Sequence, residues 1–226
     1  MALRSLHRRA LIAGGTGRVG RAIAARLERD EWRVVAAGRA NGDLRTRAGA
    51  QALAQHALTE LGGLDLVVHA AGDGFEPLPF EEVTEELWDS AMDVTAKGTF
   101  FLAQAVAPAL RETGGVLIVI EDVASYRPWP SFAAHSAAKA AQAMLTRVLA
   151  RALAPEVRVC GVAPGPVAVE PGQAERRAAE TLLGRVGAPE DVAEAVLYLA
   201  GAGFVTGTTL AVDGGQLLQT DPSRKP

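Results

Sequence analysis

The stretch Arg9-Ala-Leu-Ile-Ala-Gly-Gly-Thr-Gly-Arg-Val-Gly20 limits what this chain can fold into more than any other. Ala10 to Ala13 is a short apolar run that reads as a buried strand, and glycines follow at 14, 15, 17 and 20. A helical stripe then begins, with Val19, Ile23 and Leu27 spaced by four. Strand, glycine turn and helix in that order let the backbone turn tightly and approach a pyrophosphate. The helix start adds unpaired N–H groups and the positive end of its dipole. Gly15-x-Gly17-x-x-Gly20 also fits the dinucleotide fingerprint. Gly14, Thr16, Gly17, Arg18, Val19 and Gly20 are therefore the first candidate cofactor contacts.

The remaining chain reads as strands alternating with helices. Strands are predicted over 33–37, 64–71, 116–120, 157–162 and 208–212. Helices are predicted over 48–61, 84–112 (two helices broken near Gly98), 133–153 and 191–200. For the helix over 133–153, Ala137, Ala141, Met144 and Leu145 are expected on the inner face. Such alternation implies α/β architecture: a doubly wound parallel sheet with helices on both faces. The 226 residues suit one domain, 1–226. Residues 167–184 are irregular and polar and are expected to form a substrate lid, and 221–226 a disordered tail. Gly14, Arg39, Gly72, Asp122 and Pro164 each follow a strand, so they are expected to meet in one crevice.

Net charge is −3 with both signs interspersed, which gives no footprint for nucleic acid. Cys160 is the only cysteine, so no disulfide forms within the chain and a reducing compartment is expected. Arg4, Arg8 and Arg9 precede an apolar run too short for a signal peptide, and no stretch is apolar and long enough to span a membrane. A cytoplasmic protein with a small-molecule substrate is the expectation. No metal site is expected.

The second strand ends at Gly38-Arg39, where sites for NAD usually place an acid against the ribose 2′-hydroxyl. Arg39, aided by Arg18, is instead suited to a 2′-phosphate. NADPH is therefore the expected cofactor, in preference to NADH.

Three further segments carry a resemblance to a known family: Gly184-Arg-Val-Gly-Ala-Pro-Glu-Asp-Val-Ala193, Val205-Thr-Gly-Thr-Thr-Leu-Ala-Val-Asp-Gly-Gly215 and Val157-Arg-Val-Cys-Gly-Val-Ala-Pro-Gly-Pro-Val167. With the glycine turn, they make the chain similar to the short-chain dehydrogenases/reductases over nearly its whole length. The resemblance implies a Rossmann-type fold, a nicotinamide cofactor and a homotetramer, with the helices around Ala103 and Ala141 meeting across two-fold axes. It adds Asp43 and Leu44 at the adenine, Ala70, Ala71 and Gly72 after the third strand, and Pro164, Gly165 and Val167 after the fifth. His69 stands where the family has the first asparagine of Asn-Asn-Ala-Gly.

The family's catalytic set is Asn, Ser, Tyr and Lys, and here three of the four positions differ. His135-Ser-Ala-Ala-Lys139 replaces Tyr-x-x-x-Lys, so His135 takes the place of the tyrosine and Lys139 is kept. Asp122, thirteen residues earlier, holds the serine position, and Thr95 the asparagine position. Asp122 together with Arg18 resembles the pteridine reductases and a dihydrofolate-reducing branch near them. Phe75-x-Pro77-x-Pro79 resembles their loop that stacks an aromatic on the pterin. The resemblance makes Lys139 the ribose ligand. Asp122 is suited to a ring amino group or to a protonated His135, and histidine exchanges protons near neutral pH. Thr95 is expected to pack between helices, its hydroxyl in place of the asparagine's water contact. Phe75, Trp129 and Phe132 are candidates to stack on a flat substrate, Trp129 and Phe132 being equally suited to a subunit contact. Two readings follow: an NADPH-dependent reductase of a pterin, dihydrofolate or other conjugated C=N or C=O compound, and a non-catalytic NADPH-binding homologue with a degenerate site.

Overall fold

The structure, a computed structural model, describes residues 8–73 and 75–219. Arg4 and the tail 221–226 lie outside the described residues. Among the described residues, six parallel strands form one sheet in the order β2-β1-β3-β4-β5-β6. These are β1 (Arg9–Ala13), β2 (Arg33–Ala37), β3 (Leu66–His69), β4 (Val116–Ile120), β5 (Arg158–Pro164) and β6 (Thr209–Val212). The helices are α1 (Arg18–Arg29), α2 (Arg47–Leu61), α3 (Glu85–Met92), α4 (Gly98–Thr113), α5 (Ala133–Leu153), α6 (Ala174–Ala178) and α7 (Pro189–Gly201). No helix among the described residues is long and apolar enough to cross a membrane.

The central strands are apolar at nearly every position because both faces are covered. Leu11, Val67, Leu117 and Val119 point to one side, with core residues of α2, α4 and α5. Ala10, Ile12, Leu66, Val68, Ile118 and Ile120 point to the other, against α1 and α7. The chain leaves β1 toward β2 and later crosses to β3 on β1's other side. The strand order therefore reverses between β1 and β3, and their C-terminal ends open a crevice there.

Three expectations change. The break near Gly98 is instead a π-helical turn, Asp93–Lys97, joining α3 to α4 without interruption. Gly98 sits where a Cβ would come within 3.2 Å of Leu44, so the missing side chain admits the neighbouring segment. On α5 the buried face carries Ala134, Ala138, Gln142, Thr146 and Leu149, while Met144 is exposed. An apolar stripe mislocates this face because Gln142 and Thr146 are buried with hydrogen-bond partners. Ala103 lies inside the core and is unavailable to a partner; the exposed apolar residues of α4 and α5 include Phe100, Met144 and Val148.

Candidate active site

The turn after β1 is built from steric necessity. Gly14 has φ +85°, and a Cβ there would lie 2.5 Å from the Ala71 nitrogen. A Cβ on Gly20 would lie 2.3 Å from the Gly14 carbonyl oxygen. The turn and the β3 end are thus pressed together, and only glycine permits it. Helix α1 begins after Gly17 with no side-chain cap and no acid in its first turn. Its first N–H groups stay available to an anion.

A cleft of about 220 Å³ follows, lined by Gly14, Thr16, Gly17, Gly38, Arg39, Asp43, Leu44, Ala70, Ala71 and Gly72 among others. These are nearly all the residues expected on the adenosine side of a dinucleotide. The cradle fits such a group: small residues and backbone form the walls, and Arg39 stands at the rim. Arg39 is largely exposed and its Nη2 lies 3.4 Å from Asp73 Oδ2. Asp43 is clasped by Arg45, whose guanidinium hydrogen bonds hold the carboxyl down to about 2. Arg18 lies elsewhere: its guanidinium pairs with Glu170 at 3.1 Å, tying the glycine turn to the segment after β5.

The chain after β5 lines a second cleft beside the first. Val167 lines this cleft of about 480 Å³ with Leu182, Leu183, Leu210 and Gly214. Gly165 donates its N–H to the Val212 carbonyl, and Pro164 is paired in β5 with Val212 of β6. The segment expected as a lid is hydrogen-bonded to the segment that follows β6. Leu183 N–H donates to the Gly214 carbonyl, and Gln216 Nε2 donates to Glu180 Oε2 at 2.9 Å.

The chemistry-bearing residues gather beyond β4. Asp122 caps a short turn, its Oδ1 accepting the Ala124 N–H at 2.8 Å. His135 Nε2, at the start of α5, lies 3.4 Å from Asp122 Oδ2. Phe75 stacks on Phe132 with ring centroids 4.6 Å apart and meets His135 edge-on at 4.9 Å. Trp129 lies a step further out, edge-on to Phe132 and under the Arg177 guanidinium. Phe75, Asp122 and His135 are brought together as expected, and Phe132 joins them. Trp129 is one ring removed.

Lys139 follows His135 by one turn but is buried. Its Nζ donates to the Ile120 carbonyl and to Gln142 Oε1, both at 2.9 Å. Burial pushes its ammonium below the ordinary lysine range, with Asp122 and Glu121 acting against that. Thr95 lies in the π turn, fully buried. Its carbonyl accepts from Thr99 Oγ1 at 2.6 Å, while its own hydroxyl has no hydrogen-bond partner among the described residues. Burial, with the Lys139 charge second, pushes His69 down to about 3, so it stays neutral. Glu121 is also buried, accepting from Thr146, Thr209 and Tyr126, and desolvation raises it. The motifs in the sequence do not single out Gln142, Thr99, Glu121 or Arg45. The one available signal is polar Gln142 on the Lys139 side of an otherwise alanine-rich helix face.

Known proteins share both this fold and much of this sequence. A family model described as enoyl-(acyl carrier protein) reductase matches residues 20–216. The chain is 39% identical to 3β-hydroxysteroid dehydrogenase 1 of Eggerthella lenta over 196 residues, covering 81% of this chain and 75% of that one. It resembles the 3-ketoacyl-(acyl-carrier-protein) reductase of Brucella melitensis complexed with NADH, with TM-score 0.88, 27% identity, and coverage of 94% of this chain and 100% of that one. It also resembles a blue fluorescent protein from a metagenomic library in complex with NADPH, with TM-score 0.84, 26% identity, and coverage of 94% of this chain and 99% of that one.

Proposed function

The chain belongs to the short-chain dehydrogenase/reductase family and is an oxidoreductase of the short-chain type; from that premise we propose that it is an NADPH-preferring reductase of a flat, conjugated C=O or C=N compound. The observation that carries this reading is the His135–Asp122 pair, 3.4 Å apart, beside the Phe75–Phe132 wall. The nicotinamide supplies hydride when bound. Gly14, Gly17, Ala70, Ala71 and Gly72 would hold its adenosine and pyrophosphate side, with Asp43 and Leu44 at the base. Arg39 would meet the 2′-phosphate in place of Asp73.

The chain's own chemistry is the proton. His135 gives one from the ring nitrogen that does not face Asp122 to the oxygen or nitrogen that becomes hydroxyl or amine. Asp122 Oδ2, 3.4 Å from Nε2, fixes the ring's orientation. Lys139, a turn below, places a cation near the ribose. Phe75 and Phe132 align a planar ring, which is why a pterin, a dihydrofolate or a quinone-like carbonyl suits the site better than a saturated alcohol. The NADH and NADPH relatives share one fold, so cofactor choice rests on Arg39 alone. We also propose a homotetramer, supported by exposed Phe100, Met144 and Val148 on the long helices.

Titrating NADPH and NADH by calorimetry, then following NADPH oxidation with dihydropterins, quinones and dicarbonyls, tests the reading. A charge-assisted contact of about 1.5–3 kcal/mol predicts roughly a 10–150-fold preference for NADPH, lost in Arg39→Asp. Equal affinities, or no oxidation with any of these compounds, would contradict it.

A further inference from the structure

Near the His135–Asp122 pair lies a set of buried polar side chains joined by hydrogen bonds. Lys139 Nζ can only donate, so the Gln142 oxygen it touches at 2.9 Å is an acceptor, and the amide orientation is fixed. Gln142 Nε2 then faces three acceptors: Thr99 Oγ1 at 2.9 Å, His69 Nδ1 at 3.1 Å and, at the longer distance of 3.4 Å, the Thr95 carbonyl. Thr99 spends its single hydrogen on the Thr95 carbonyl at 2.6 Å, so its oxygen is free to accept. His69 is neutral and carries one ring hydrogen. With the amide N–H aimed at Nδ1, Nδ1 accepts and the ring hydrogen lies on Nε2, which has no hydrogen-bond partner among the described residues. The two shortest amide N–H contacts run to β3 and to the start of α4, and the amide oxygen takes Lys139. Gln142 and His69 are both completely buried.

We propose that Gln142 is a positioning residue: braced against His69 and Thr99, its amide oxygen fixes the Lys139 ammonium where the ribose of the nicotinamide cofactor is bound. This rests on reading Lys139 as the ribose ligand. Without the amide, Nζ would keep only the Ile120 carbonyl, and a four-carbon stem would be free to place the charge elsewhere. Gln142 touches neither substrate nor cofactor; it acts through Lys139. The arrangement also accounts for a polar residue on a helix face where a leucine would satisfy packing.

A double-mutant cycle on the full chain tests this, read as cofactor affinity by calorimetry, with melting temperature recorded for every variant. The variants are Lys139→Met, Gln142→Leu and both together, titrated with whichever of NADPH or NADH binds the wild type more tightly. Gln142→Leu is expected to weaken binding about tenfold, the size of one lost charge-assisted contact. The double variant is expected to bind no more weakly than Lys139→Met alone. A Gln142→Leu protein that melts cooperatively and binds like wild type, or losses that multiply in the double variant, would overturn the proposal. Should the leucine variant not fold, Gln142→Glu serves, since it keeps the acceptor for Nζ. Adding Lys139→Met to the Gln142→Glu protein must then cost as much affinity as adding it to the wild type, and a smaller cost overturns the proposal. Binding is measured without turnover. A wild type that binds cofactor but reduces nothing sinks the reductase reading while the cycle still decides on Gln142.

Discussion

The nucleotide cleft and the proton-donor wall stand at the ends of neighbouring strands, yet they are built by different means. The cleft is made of backbone, glycines and alanines, and its shape follows from which positions lack a Cβ. The donor wall is made of side chains whose positions depend on partners far along the chain. His69 and Gln142 are 73 residues apart, and Glu121 and Thr209 are 88 apart. A cleft of the first kind tolerates no added atom where it presses on backbone but asks little of the rest of the molecule. A wall of the second kind can exchange histidine for tyrosine and aspartate for serine, provided the polar atoms beneath remain satisfied. On the reading proposed above, the family's cofactor half is retained here and its proton half is rebuilt.

The largest effect is expected from adding one methyl group where α1 presses on the glycine turn. Gly20→Ala sets a Cβ against backbone at 2.3 Å, which no side-chain rotation relieves. A loss of about 3 kcal/mol in denaturant stability is expected, with cofactor binding abolished. Gly72→Ala is the control, because a Cβ there meets nothing within 4 Å. It should leave stability intact. A Gly20→Ala protein as stable as Gly72→Ala would remove the steric account of the turn.

A smaller effect sharpens the other side. His69 sits near 3 in the fold, against about 6.5 when exposed. Between those values the unfolded chain binds a proton that the native chain excludes, so its stabilising contribution is present above about 6.5 and is lost as pH falls. At pH 5 this amounts to about 2 kcal/mol. Glu121, raised by burial, works in the opposite direction, losing stability as pH rises through its folded value. His69→Asn keeps an acceptor for Gln142 but cannot titrate. Its melting temperature should fall less between about pH 7.5 and about pH 5 than that of the wild type. Equal falls would mean that His69 is not held neutral.

The sequence's legibility follows the same division. Glycine spacing, apolar runs and the Gly38-Arg39 strand end are local, and they locate β1, β2, β4, α5 and the cleft within a residue or two. The β3 strand, expected over 64–71, is regular only over Leu66–His69, with Asp65 and Ala70 still donating backbone hydrogen bonds to the Arg9 and Ala13 carbonyls. The pairing of Asp122 with His135 is legible through their spacing in the family pattern. The pairing of Arg18 with Glu170 is not, since an exposed arginine has no local mark of its partner. Nor is the burial of Gln142 and Lys139, which depends on His69 and Ile120 arriving from two strands. Ala103 misleads for a related reason: small residues suit a helix–helix contact within one molecule as well as between two.

The central claim is that His135 replaced the proton donor while the cofactor site was left alone. The direct test is His135→Phe, with cofactor affinity and the rate of NADPH oxidation measured side by side on the best substrate. The account predicts unchanged affinity and a rate lower by about 10²–10⁴-fold. An unchanged rate, or a rate that falls only in step with affinity, would contradict it.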